Sequence, residues 1–76
     1  MKSVRIEPVN PDIANTLFVD VVCDCGKNGL KNEAGHTDFK HMVTTVAGEP
    51  DKLLSCECGR KYLLHPQNGH IHIFNA

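Results

Sequence analysis

The 76-residue sequence predicts a small, mostly β fold: a single domain over residues 1–76, built on an antiparallel sheet that ends in a C-terminal β-hairpin. Three observations carry this expectation. No stretch places apolar residues at helical spacing, so no long amphipathic helix is expected. Residues 16–23 (Thr-Leu-Phe-Val-Asp-Val-Val-Cys) are rich in β-branched and aromatic side chains. Asn68-Gly69, between two short apolar runs, is the strongest local signal for a hairpin turn.

In chain order, residues 3–7 read as a short strand, with Val4 and Ile6 alternating against Arg5 and Glu7, that stops at Pro8. Asn10-Pro11-Asp12 is turn chemistry, opening a single helical turn through Ile13 and Ala14. Residues 16–23 form the clearest strand, and Leu17, Val19, Val21 and Cys23 share one of its faces. Residues 27–38 are polar and contain Gly29 and Gly35, which reads as a loop. Residues 39–46 alternate Phe39, His41, Val43 and Thr45 against Lys40, Met42, Thr44 and Val46. Neither face is strongly apolar, which suits a sheet edge. Gly48-Glu49-Pro50-Asp51 reads as a turn, and Leu53-Leu54 lead on from it. With Asn68-Gly69 as the turn, Gln67 pairs with His70, Pro66 with Ile71, His65 with His72, Leu64 with Ile73 and Leu63 with Phe74. Leu64, Pro66, Ile71 and Ile73 then form the core face.

Such a chain has a thin core. Phe18, Phe39, Phe74 and Tyr62 are its aromatics, there is no Trp, and a domain this small commonly needs a cross-link or a metal. All four cysteines lie in two matched segments, Cys23-Asp24-Cys25-Gly26-Lys27 and Cys56-Glu57-Cys58-Gly59-Arg60. Paired thiols on two tight turns meet the need of a tetrahedral metal for four soft donors. Glycine after each second cysteine permits a backbone conformation that a side chain hinders, and lets amides turn toward sulfur. Lys27, Arg60 and Lys61 offset the charge of four thiolates, while Asp24 and Glu57 are expected to point outward. One structural Zn²⁺ on Cys23, Cys25, Cys56 and Cys58 is the leading reading. A rubredoxin-like iron or iron–sulfur centre, disulfides between the two segments, and a mixed site using histidine remain open.

The two knuckles followed by a hairpin resemble the zinc ribbon (zinc β-ribbon) group, whose usual pattern is Cys-x-x-Cys-Gly in each half. Here each half is one residue shorter. The resemblance covers about residues 18–74 and is one of architecture. It implies a recognition module with structural zinc, docking on a larger complex, most often of the transcription or other nucleic-acid machinery, as an accessory or as a regulator or inhibitor.

Net charge is −1, with no basic tail or run, which argues against broad phosphate binding. Lys27, Lys31, Arg60 and Lys61, just after the knuckles, form the candidate contact patch for a partner or for nucleic acid. His65, His70 and His72 converge on one hairpin face as a second metal candidate, against the plainer reading of an exposed polar face. His36 and His41 read as loop or edge-strand residues. No catalytic motif stands out and a four-thiolate site leaves no open position, so an enzyme is not expected. No apolar run reaches membrane-spanning length and the N-terminal stretch lacks a signal-peptide core. A cytoplasmic, reducing compartment is therefore expected, where thiols bind metal more often than they form disulfides.

Overall fold

A computed structural model describes residues 1–76, apart from the side chain of Ala14. It contains β1 (Ser3–Asn10), β2 (Ile13–Val22), β3 (Leu30–Lys31), β4 (Thr37–Asp38), β5 (His41–Thr44), β6 (Lys52–Ser55), β7 (Lys61–Gln67) and β8 (His70–Asn75). The strands divide between two antiparallel sheets, one ordered β1-β2-β5 and the other β4-β3-β6-β7-β8. The fold is mostly β as expected, and no helix is long and apolar enough to cross a membrane.

The core lies between the sheets. Val19, Val21 and Val43 come from the first, and Leu30, Leu54, Tyr62 and Leu64 from the second; Cys23 and Cys56 complete the cluster. The alternation read along residues 16–23 holds: Val19, Val21 and Cys23 are buried, and Leu17 half-buried. The C-terminal hairpin has the register that Asn68-Gly69 specifies, from Gln67 opposite His70 to Leu63 opposite Phe74. Gly69 has φ +85° and, among the described residues, no non-glycine residue has positive φ, so the turn places its left-handed residue at Gly69 alone. The Gly69 amide donates to the Thr45 carbonyl (3.0 Å), and the Thr45 amide to the Asn15 carbonyl (2.7 Å). Buried Thr45 thereby ties the hairpin tip to the first sheet.

Five sequence expectations need correction. β1 does not stop at Pro8 but runs to Asn10, with a register shift between Pro8 and Asn10. Proline is tolerated there because β1 is an edge strand. Ile13 and Ala14 do not form a helical turn; β2 begins at Ile13, which pairs with Asn10 across Pro11-Asp12. The Asn10 side chain accepts the Asp12 amide (3.0 Å) and closes that turn. Residues 27–38 are not all loop, since β3 and β4 form a short hairpin within them. The strand expected over 39–46 is trimmed to β5, leaving Phe39 61% exposed, although β5 does lie at a sheet edge. The following turn sits slightly earlier than Gly48–Asp51, with the Glu49 amide donating to the Val46 carbonyl at 3.3 Å.

Candidate metal centre

The two cysteine segments fold into the same turn. In the first, the Gly26 amide donates to the Cys23 carbonyl (2.8 Å) and the Cys23 amide to the Lys27 carbonyl (2.9 Å). In the second, Gly59 donates to Cys56 (3.0 Å) and Cys56 to Arg60 (2.8 Å). Gly26 and Gly59 have φ of +93° and +96°, so each closes a three-residue loop through the left-handed residue that such loops require. The turns differ in where they lead. The first carries the chain from β2 in one sheet toward β3 in the other; the second joins β6 to β7 within one sheet.

This placement brings the sulfurs together at one end of the core. All four lie within 4.8 Å of one another, with Cys23 and Cys58 3.5 Å apart and Cys25 and Cys56 3.5 Å apart. Those close pairs each span the two turns. A disulfide needs about 2.05 Å, and all four cysteines are free thiols. A tetrahedral ion with metal–sulfur bonds of about 2.3 Å has sulfur–sulfur edges of about 3.8 Å, inside the observed span from 3.5 to 4.8 Å. Four cysteines this close in a small β protein fit a zinc-ribbon-like metal site, and could hold a metal ion. Cys23 and Cys56 are buried in the core cluster while Cys25 and Cys58 are exposed. An ion here would therefore join the ends of β2 and β6, one from each sheet.

The electrostatics explain what four bare thiols lack. Cys58 is held down to about 6, first by the Arg60 backbone amide and then by the Arg60 guanidinium, whose Nη1 lies 3.5 Å from its sulfur. Cys56 is pushed up to about 12: the Cys58 amide favours its thiolate, but burial and the neighbouring thiols of Cys25, Cys58 and Cys23 outweigh it. Cys58 thus forms a thiolate readily while buried Cys56 resists one. A divalent cation among the sulfurs reverses this, because it stabilises every thiolate at once.

Tyr62 is the supporting residue that the sequence reading missed. It is buried on the core face of β7, and its hydroxyl donates to the Cys23 sulfur (3.4 Å) while accepting the Asp24 amide (3.1 Å). Strand parity with Leu64 and Pro66 was the signal that places it inside. A donor fixed in this way orients its sulfur and tunes the basicity of the site.

The four basic residues proposed as a patch do not act alike. Lys27 pairs with Glu57 (3.2 Å), linking the two turns across the site. Arg60 serves Cys58. Lys31 and Lys61 both stand opposite Ser55 in register, so they share a face of the second sheet on either side of it, and both are exposed. Asp24 and Glu57 are exposed, as expected.

The histidines are dispersed by comparison. His65 and His72 are paired in register, His70 and His72 have ring centroids 5.1 Å apart, and His72 stacks on Phe74 at 6.1 Å. The Nδ1 of His65 lies 2.6 Å from Asp51. Among the described residues, the group of possible ligands within bonding reach of one ion is the four cysteines; the three imidazoles do not form a second. His41, read as an edge-strand residue, is on edge strand β5 but 5% exposed.

Comparison of the chain with protein-family models, with curated proteins and with solved structures gave no match.

Proposed function

We propose that this chain is a structural-zinc module, and that it works as an accessory or regulatory protein docking on a larger complex of the transcription or other nucleic-acid machinery. The observation that carries the first half is the spacing of the four sulfurs, with Cys23–Cys58 and Cys25–Cys56 each at 3.5 Å and all four within 4.8 Å. Four protein thiolates close the coordination sphere, so zinc bound there has no position for a substrate and acts by holding the two sheets together rather than by catalysis. Iron would also accept four thiolates, but it would colour the protein and make it redox-active.

The docking half draws its support from the outer face of the second sheet. Leu53, Leu63 and Phe74 are neighbours in register across β6, β7 and β8, and Phe74 is 49% exposed. Lys31 and Lys61 flank Ser55 on the same face. An apolar centre with a charged rim is the usual composition of a protein contact surface. The second reading, direct binding of nucleic acid, rests on those same two lysines and on the ring of Phe74, on which a base can stack.

The test has two stages. Elemental analysis with a thiol count before and after chelation should give one zinc per chain and four thiols released. Metal-free protein lacking free thiols would remove the zinc reading. Binding of the zinc-loaded protein to purified RNA polymerase and to single-stranded DNA is then compared for the wild type, Phe74→Ala, and Lys31→Ala combined with Lys61→Ala. Docking predicts polymerase binding that Phe74→Ala weakens. The alternative predicts DNA binding with a steep salt dependence, abolished by the lysine pair. Arg60 is left intact because its loss would disturb Cys58.

A further inference from the structure

We infer that two copies of this chain associate through β1, paired antiparallel about a two-fold axis at Ile6, so that the β1-β2-β5 sheets of the two copies become one continuous sheet. The edges of the two sheets are not equally protected. β4 is two residues long, and β5 is four residues long with its Met42 carbonyl occupied by the Lys52 ammonium (2.8 Å). β1 is an edge strand of eight residues. Long open edges are templates for pairing with another strand.

Which backbone groups of β1 face outward follows from the ladder. The Thr45 amide donates to the Asn15 carbonyl, so odd-numbered residues of β2 turn their amides and carbonyls toward β5. Even-numbered residues of β2 turn toward β1, and the Lys2 amide bonded to the Val22 carbonyl (2.9 Å) agrees. In the β1–β2 register, Ser3 faces Val22, Arg5 faces Asp20 and Glu7 faces Phe18. Odd-numbered residues of β1 are thus used internally, and Val4, Ile6 and Pro8 hold their backbone groups to the open edge.

Self-pairing centred on Ile6 uses those groups. The Ile6 amide reaches the partner's Ile6 carbonyl, the Val4 amide reaches the partner's Pro8 carbonyl, and both bonds recur by symmetry. Pro8 lacks an N–H but keeps the carbonyl this register needs. On one face Arg5 lies opposite the partner's Glu7, and Glu7 opposite the partner's Arg5. Among the described residues Arg5 forms no ion pair within its own chain, whereas Glu7 already holds Lys40 and would join a three-charge network. Sliding the register by two residues sets Arg5 against the partner's Arg5, so charge selects the Ile6-centred pairing. On the other face Val4 and Ile6 continue the row of Val21 and Val19, yet they are 40% and 44% exposed where those two are buried. Pairing sets Ile6 against the partner's Ile6 and Val4 against the partner's Pro8, which joins the two exposed rows into one. β8, the other long edge, carries no charged residue that would select a register.

The first test uses the wild-type chain. Sedimentation from about 10 µM to 1 mM, a range suited to a small interface, should show a monomer–dimer equilibrium. Amide exchange should show Val4 and Ile6 becoming protected as the dimer forms, while Arg5 and Glu7 are protected throughout. A wild type that stays monomeric over the whole range, which would leave β1 to a strand of some other protein, overturns the inference. So does a dimer in which the Val4 and Ile6 amides exchange freely. The second test uses charge: Arg5→Glu and Glu7→Arg should each weaken self-association about tenfold to a hundredfold, since two attractive pairs become repulsive. Mixing the two variants should restore association as a heterodimer, because opposite charges face each other again. Dimerisation indifferent to both changes would contradict this register.

Discussion

The chain makes one five-residue turn three times, and only two of the three carry sulfur. Asn32-Glu33-Ala34-Gly35-His36 repeats the hydrogen bonds of the two knuckles: Gly35 donates to Asn32 (3.0 Å), Asn32 donates to the His36 carbonyl (2.9 Å), and Gly35 has φ +82°. Where the sulfur of Cys23 or Cys56 accepts the amide two residues on, Asn32 Oδ1 accepts the Ala34 amide (3.0 Å). It takes the His36 amide as well (3.0 Å). The turn therefore does not depend on metal. It needs glycine at its fourth position and an acceptor side chain at its first. What the cysteines add is a link between turns. The Asn32 turn ends locally in the β3–β4 hairpin, with Glu33 accepting the Leu53 amide (2.9 Å), whereas the cysteine turns meet each other from different sheets.

Removing a sulfur donor should separate the turns most. Cys56→Ser, or chelation of the wild type, is expected to cost more than about 4 kcal/mol and to melt both sheets, because metal binding supplies much of the folding free energy of so small a domain. Ala34→Ser, at the equivalent place for a second cysteine but exposed and bound to nothing through its side chain, should stay within about 0.5 kcal/mol. Denaturant unfolding of both variants checks the pair; similar losses would mean that the metal link is not what separates the turns.

Tyr62→Phe ranks next. It leaves the Asp24 amide and the Cys23 sulfur without their shared partner, at a cost of about 1–3 kcal/mol, and should lower metal affinity about tenfold to a hundredfold. Competition against a chromophoric chelator measures the affinity directly. Gly59→Ala and Gly35→Ala should then cost about the same as each other, about 1–2 kcal/mol, because both glycines sit at positive φ and an added methyl meets no atom within 4 Å at either. A much larger loss at Gly59 would show that the knuckle backbone is strained by its sulfurs.

The smallest effect concerns pH. Burial is the main cause holding His41 below its ordinary 6.5, against Asp38 and Asp20, which raise it. The folded chain binds this proton less readily than the unfolded chain does, so stability should fall as pH drops below about 6.5. His41→Gln should flatten that slope in the metal-loaded protein. An unchanged slope would place the acid sensitivity elsewhere.

Much of this was legible in the sequence, and what escaped it has a common cause. Asn68-Gly69 fixed the hairpin register because a two-residue turn leaves one way to pair its flanks. The parity of residues 16–23 placed Cys23 in the core for the same local reason. The Asn32 turn lies in a polar stretch that reads as loop, although the spacing from Asn32 to Gly35 is that from Cys23 to Gly26 and from Cys56 to Gly59. The division into two sheets was beyond reach: only packing decides that the first knuckle crosses between layers while the second stays within one sheet. Tyr62 shows the same limit, since parity places it inside while its hydrogen bond to Cys23 depends on a contact between residues far apart in the chain.

X-ray absorption at the zinc edge of the metal-loaded protein shows whether four sulfurs from the two turns share one ion. The shared site requires four sulfur neighbours at about 2.3 Å, with no nitrogen or oxygen in the shell. Two or three sulfurs completed by an imidazole or by water would contradict it, and would turn attention to the histidine face of the hairpin.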